Sequence, residues 1–186
     1  LRNGNFLILS GSVWLMNKGT FITTLVEKDE TFSAGRAAYE DAQGRIWLVG
    51  RNGICATDGN FEMLYSLPDR ILGRWLNAIV QKDDSTFWVA AKTLYEIKLR
   101  PQKQLAIRPI FPELKNVHLS GLFKDSLGNI WMCSNGGMYR FVASKNALEK
   151  FDRGDNAYNF EESISNSFRS SNGTVYFGSK NGINYF

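Results

Sequence analysis

Few side chains in this chain could do covalent or acid–base work, and their spacing is poor for it. There is one histidine, His118, so any mechanism that needs a histidine pair or a three-histidine metal site lacks its groups. Two carboxylate doublets occur, Asp83-Asp84 in a turn and Glu161-Glu162 at the start of a strand. Adjacent strand residues point to opposite faces, so neither doublet makes an acid/base pair. Cys55 and Cys133 are the only cysteines and no CxxC spacing occurs; both read as small buried apolar residues. No catalytic group, metal or cofactor is expected. What does recur is hydrogen-bonding and cationic chemistry. Arg51-Asn52, Lys92, Asn135-Gly136 and Lys180-Asn181 each follow an apolar strand-like phrase, while Arg36, Arg74-Trp75, His118 and Tyr158-Asn159 each precede one. Amide and cationic donors suit hydroxyls and carboxylates, and Trp75 or Tyr158 suits stacking, which together is carbohydrate-binding chemistry. The same Asn, Lys and Gly also serve the backbone needs of turns, the plainer explanation for any one of them.

The elements that must position these residues repeat along the chain. GNFLILS, GRIWLVG, STFWVAA, GNIWMCS and GTVYFGS are near-copies, and their anchors Phe6, Ile46, Phe87, Ile130 and Val175 are 40, 41, 43 and 45 residues apart. A period near forty made of strand-like units indicates propeller blades. Within a repeat, an apolar segment, a tight turn, a second apolar strand, a short turn and a third strand follow in order, as in AAYEDAQGRIWLVGRNGICAT and LSGLFKDSLGNIWMCSNGGMYRF. Glycine closes the turns at 41–44 and 125–128, Asn172-Gly173 is a hairpin pair, and Asp83-Asp84-Ser85 lacks the glycine. FEMLYSL, QLAIRPIF and ALEKF then read as outer fourth strands. Pro68, Pro101, Pro109 and Pro112 all fall after a third strand, where a missing N–H is tolerated.

The expectation is an all-β chain: a β-propeller portion of about four to five four-stranded antiparallel blades, with repeats at 1–35, 36–73, 74–116, 117–157 and 158–186. The first repeat is registered on Phe6; aligning Trp14 with Trp47 would give an outlying step of 33. In that register the first repeat supplies strands two to four and the last supplies strands one to three. A piece of a larger, seven-bladed type of propeller is therefore expected, or a chain closed by a partner, because unclosed sheets leave long edges. Trp47, Trp88, Trp131 and Tyr176 occupy one position of the second strand and are expected in the core between blades. Residues 98–116 form the longest excursion, read as a plain surface connection with a functional loop as the alternative.

Composition excludes other classes. A hydrophobic content of 44% with 13% aromatic residues fits a folded domain, and no run of eighteen apolar residues could span a membrane as a helix. The net charge of +4 is scattered, with no block of five or six like charges, so nucleic acid is not an expected partner.

With these phrases in view, DAQGRIWLVGRNGI, DSLGNIWMCSNGGMYRF and NGTVYFGSKNGINYF resemble the two-component regulator propeller repeat. Its pattern runs Asp, two residues, Gly, then an apolar residue, Trp, an apolar residue, Gly-Thr, two or three residues, Gly and an apolar residue. Val49-Gly50-Arg51, Ala90-Ala91 and Cys133-Ser134 depart from the Gly-Thr, and the third repeat lacks both glycines. The resemblance implies a periplasmic sensor domain of a hybrid two-component histidine kinase, joined to its kinase through a C-terminal immunoglobulin-like connector and a membrane helix. It implies as partners an oligosaccharide or other small ligand, the remaining blades, the connector and a second copy in a homodimer. Two other functions compete with it. A protein-interaction propeller would show a broad exposed aromatic patch, and a propeller lyase would need a histidine and acidic residues around a metal.

Overall fold

The computed structural model describes residues 1–10, 12–26, 35–51, 53–68, 75–134, 136–151, 167–170, 174–179 and 182–185. They form five antiparallel sheets, each built from strands that follow one another in the chain. The first holds β1 (Phe6–Ser10), β2 (Ser12–Met16) and β3 (Thr23–Leu25). The second holds β4 (Gly35–Glu40), β5 (Ile46–Gly50), β6 (Gly53–Thr57) and β7 (Met63–Pro68). The third holds β8 (Ala78–Asp83), β9 (Thr86–Ala90), β10 (Leu94–Arg100) and β11 (Gln104–Ile110). The fourth holds β12 (Leu119–Lys124), β13 (Ile130–Ser134), β14 (Gly137–Val142) and β15 (Ala147–Phe151). The fifth holds β16 (Ser167–Arg169), β17 (Val175–Ser179) and β18 (Gly182–Tyr185).

A polar clip sets the phase of the repeat. The Asp41 carboxylate accepts the backbone N–H of Gln43 and of Arg45 at 3.0 and 2.9 Å, and its other oxygen accepts the indole N–H of Trp47 at 2.8 Å. Asp125 does the same for Leu127, Asn129 and Trp131, at 2.9, 2.8 and 3.0 Å. Gly44 and Gly128 close these turns at φ 78° and 82°, a region that side chains with a Cβ rarely adopt. Gly4 closes the same turn ahead of β1 at φ 83°, with its N–H on the Leu1 carbonyl at 2.9 Å. Phe6 therefore stands where Ile46 and Ile130 stand. In the third repeat the turn is one residue shorter, and the Trp88 indole donates instead to Glu96, at 3.4 Å.

Strand alternation then assigns each side chain to one of two inter-sheet cores. Ile46 and Leu48 pack with Val13 between the first and second sheets, while Trp47 and Val49 pack with Leu76, Ile79 and Phe87 between the second and third. Trp88, Ala90 and Leu94 meet Leu122, Met132 and Phe141 between the third and fourth, and Cys133 and Met138 meet Val175 between the fourth and fifth. The repeated aromatic of each blade thus faces the following blade: the ring of Trp47 lies 4.3 Å from that of Phe87, and the ring of Trp88 lies 4.9 Å from that of Phe141. Trp131, against Phe123 and Phe151 of its own sheet, is half-buried. Tyr176, expected in the core, is 36% exposed beside Tyr185. Its neighbour Val175 faces the fourth sheet, so by strand alternation the Tyr176 ring faces the opposite side.

The first strands β4, β8, β12 and β16 lie side by side in chain order, each touching the next. Hydrogen bonds spaced close to one repeat fasten them. Gln81 accepts from the Ala42 N–H at 2.8 Å and donates to Gln43 at 2.9 Å, and the Lys124 ammonium donates to the Lys82 carbonyl at 2.7 Å. Toward the other end of these strands, Asn77 donates to the Leu119 carbonyl at 2.7 Å and accepts from Arg36 at 2.9 Å. Cys55 and Cys133 are buried in different cores, and burial pushes the Cys133 thiol well up.

Candidate functional site

Three of the described residues that the sequence places around one propeller face come together. Trp75 sits just before β8, anchored by the buried Leu76 and by the Asn77 N–H on the Ala90 carbonyl at 2.8 Å. Its own backbone is left-handed at φ 78°, a strained conformation for a bulky residue, and its side chain is 43% exposed. Arg51 leaves the β5–β6 turn of the neighbouring sheet and brings its guanidinium carbon to 5.6 Å from the indole centroid. Arg36 comes to 4.9 Å. Arg36 is the bulge residue of β4: pairing steps from Gly35 opposite Gly50 to Ala37 opposite Val49 and leaves Arg36 without a partner in the ladder. Such an extra residue re-aims its side chain, here at Trp75 and at the Asn77 amide.

The site is strongly cationic. Among the described residues neither Arg36 nor Arg51 makes an ion pair, and the Trp75 indole N–H makes no hydrogen bond. Arg36 spends one of its five N–H donors on Asn77. The arrangement can bind polar, electron-rich groups through its guanidinium and indole N–H donors.

The other expected positions do not join this cluster. Lys92 lies instead on a groove of about 540 Å³ beside the third sheet, with Tyr95, Pro109, Phe111, Pro112 and Lys115. That groove is built by the tail of the 98–116 excursion, which forms β11 and a short 3₁₀ turn, Pro112–Leu114. His118 is exposed just ahead of β12, with no hydrogen bond or ring contact to the Trp75 group. Asn52, Arg74, Asn135, Tyr158, Asn159, Lys180 and Asn181 lie outside the described residues. Asn77, which fixes Arg36, carries no signal in a single sequence beyond its place two residues after Trp75. Among the described residues no three of His, Cys, Asp and Glu are grouped to hold a metal ion, and no helix is long and apolar enough to cross a membrane.

No protein-family model matches the chain, and neither does any curated protein. Solved structures do match. Over all of this chain and 26% of its own length, the extracellular domain of BT3049 from B. thetaiotaomicron, described as a hybrid two component system, superposes with a TM-score of 0.78 at 19% identity. The fold is that of a β-propeller. The extracellular domain of BT4673 from the same organism matches with a TM-score of 0.71 at 15% identity, again over 26% of its length. A virginiamycin B lyase from Staphylococcus aureus matches with a TM-score of 0.63 at 11% identity, over 70% of its length. At these identities the likeness is one of fold, and this chain spans about a quarter of the two extracellular domains.

Proposed function

We propose that this propeller segment is a ligand-sensing, non-catalytic part of an extracytoplasmic two-component sensor, reading a saccharide at the face that carries Trp75. The observation that carries this reading is the Arg36, Trp75 and Arg51 cluster. A large aromatic is held exposed in a strained backbone, with two guanidinia drawn over it from the next sheet, at a place where the core has no use for it. Strain of this kind costs about 1–3 kcal/mol, persists only where the surrounding structure enforces it, and clusters at functional sites. The extracellular domains of two-component systems among the similar folds support the sensor reading, and the repeat resemblance supports a periplasmic location and output through a C-terminal connector to a kinase. Ligand would act by population shift, favouring one packing of paired sensors over another. The lyase-like folds share architecture alone, and the exposed, uncoupled His118 is a poor substitute for their chemistry.

The test is thermal stability of the purified protein against a panel of neutral and acidic oligosaccharides. A specific ligand at a hundred times its Kd stabilises by about 2.7 kcal/mol, so one sugar class should raise the Tm with concentration. A flat response across the panel would move the function to a protein partner. That second reading has an observation of its own in Phe21 and Ile22, 68% and 66% exposed between β2 and β3.

A further inference from the structure

We propose that Arg36 and Arg51 form an oxoanion site, so that the saccharide read at this face carries a carboxylate or a sulfate ester. This rests on the sensing reading above and adds the ligand's charge class. The argument is a contrast within the molecule. Three other indoles have a cation over them: Arg45 over Trp47 at 5.9 Å, Lys82 over Trp88 at 5.2 Å and Arg140 over Trp131 at 5.0 Å. Each of those cations also has a carboxylate, Asp41 at 2.5 Å, Glu96 at 3.9 Å and Glu149 at 2.5 Å respectively. Those sites are neutralised from within and need nothing further. Trp75 alone carries two cations, and neither has an acidic partner among the described residues.

Two like charges drawn to one ring repel each other, and the exposed indole recovers only part of that cost. An oxoanion between or beside them removes it. Arginine is suited to the task, because its planar fork of N–H donors matches carboxylate and sulfate oxygens in pairs. The aim of Arg36 is fixed in advance by the β4 bulge and by Asn77, so little side-chain freedom is lost on binding. With the Arg36 and Arg51 guanidinia already 4.9 and 5.6 Å from its ring centroid, Trp75 has a part beyond that of a sugar-stacking platform. It is the cushion that holds the two charges together, and its unbonded indole N–H is a further donor.

The experiment follows the Trp75 indole N–H signal of the full chain by NMR, assigned with Trp75→Phe, during titration with sodium glucuronate, inorganic sulfate and glucose. Glucuronate and sulfate should move the signal and glucose should not. The stronger of the two anions names the carboxylate or the sulfate ester as the natural group. Arg36→Gln or Arg51→Gln should each weaken the response roughly tenfold, the worth of one charge-assisted hydrogen bond. Arg51→Lys should fall between, and added salt should weaken binding further. A glucose response equal to that of glucuronate, or an anion response that survives both Gln substitutions, would overturn the site. Neutral oligosaccharides that raise the Tm without moving Trp75 would overturn the oxoanion site and leave the sensing reading standing. A sulfate response with no oligosaccharide response would keep the anion site and remove the saccharide.

Discussion

Asp41 and Asp125 each tie a turn to a tryptophan six residues on, and the strength of that tie depends on burial. Replacing Asp41 by Ala leaves two backbone N–H groups and the fully buried Trp47 indole N–H without an acceptor. At about 1–3 kcal/mol per orphaned group, partly offset by water at the turn, the loss should be about 3 kcal/mol. Asp125→Ala should cost about 2 kcal/mol, since Trp131 is half-buried and water reaches it. Asp83→Ala should cost least, below about 1 kcal/mol, because Trp88 is served by Glu96. Urea midpoints of the three variants give the order, and Asp83 ranking first would refute the clip. Protonation probes the same contact. Burial pushes the Asp125 carboxyl up, but hydrogen bonds from Trp131, Asn129 and Leu127 outweigh it and hold the group below the ordinary 3.8. A folded pKa below the unfolded one stabilises at pH above the unfolded value, and that stability drains away as pH falls through 3.8 toward the folded value. Asp125→Asn should flatten the urea midpoint between about pH 5 and pH 3, and an unchanged acid limb would show that other carboxylates set it. The clip was half legible: Asp and Trp recur in the sequence at fixed spacing, but the bond between them, and its loss where the third turn is one residue short, appears only in three dimensions. Arg36, Arg51 and Trp75 were legible as types suited to binding. That two of them would cover the third was not, because no spacing in a single sequence reports a contact between sheets.

At the scale of the strand and turn, the sequence speaks more plainly. Continuous apolar runs between short turns specify three strands per repeat, and β7, β11 and β15 lie where FEMLYSL, QLAIRPIF and ALEKF read as the outer fourth. The turn glycines are needed for torsion and not for room. A Cβ on Gly44 would meet nothing within 4 Å, yet φ is 78°. Gly44→Ala should therefore cost about 1–2 kcal/mol from backbone strain alone, and Gly44→Asn distinctly less, because Asn tolerates that region. Equal losses for Ala and Asn would point to a role for the glycine other than its dihedral. The bulge at Arg36 was not legible. An extra residue in a strand has no residue type of its own, and it reveals itself only by what the partner strand leaves unpaired. The groove near Lys92 was missed for a related reason: Phe111 reads as apolar filler, and only its left-handed φ of 55° shows that the chain turns there to open a cavity.

For the molecule as a whole, the forty-residue period was enough to specify the architecture, because a sheet with two apolar faces must be covered by like sheets on both sides. Each core cluster lies between two consecutive sheets, while Tyr176, Ile183 and Tyr185 of the fifth sheet are 36%, 70% and 72% exposed. Asn77 stands at a junction in this stack. It takes a hydrogen bond from Arg36 of the second sheet, belongs to the third and gives one to Leu119 of the fourth. Mechanically it is a rivet through three plates, and its outermost plate carries one of the two charges at the proposed recognition face. Asn77→Ala should lower stability by about 1–3 kcal/mol and slacken Arg36 at once, so that melting temperature and anion response fall together. Arg51→Gln should lower the anion response and leave melting unchanged. If the two substitutions behave alike, the rivet is not one. If they part, then whatever grips Arg36 also bears on the joint between the third and fourth sheets, and the recognition face is wired into the seam of the propeller.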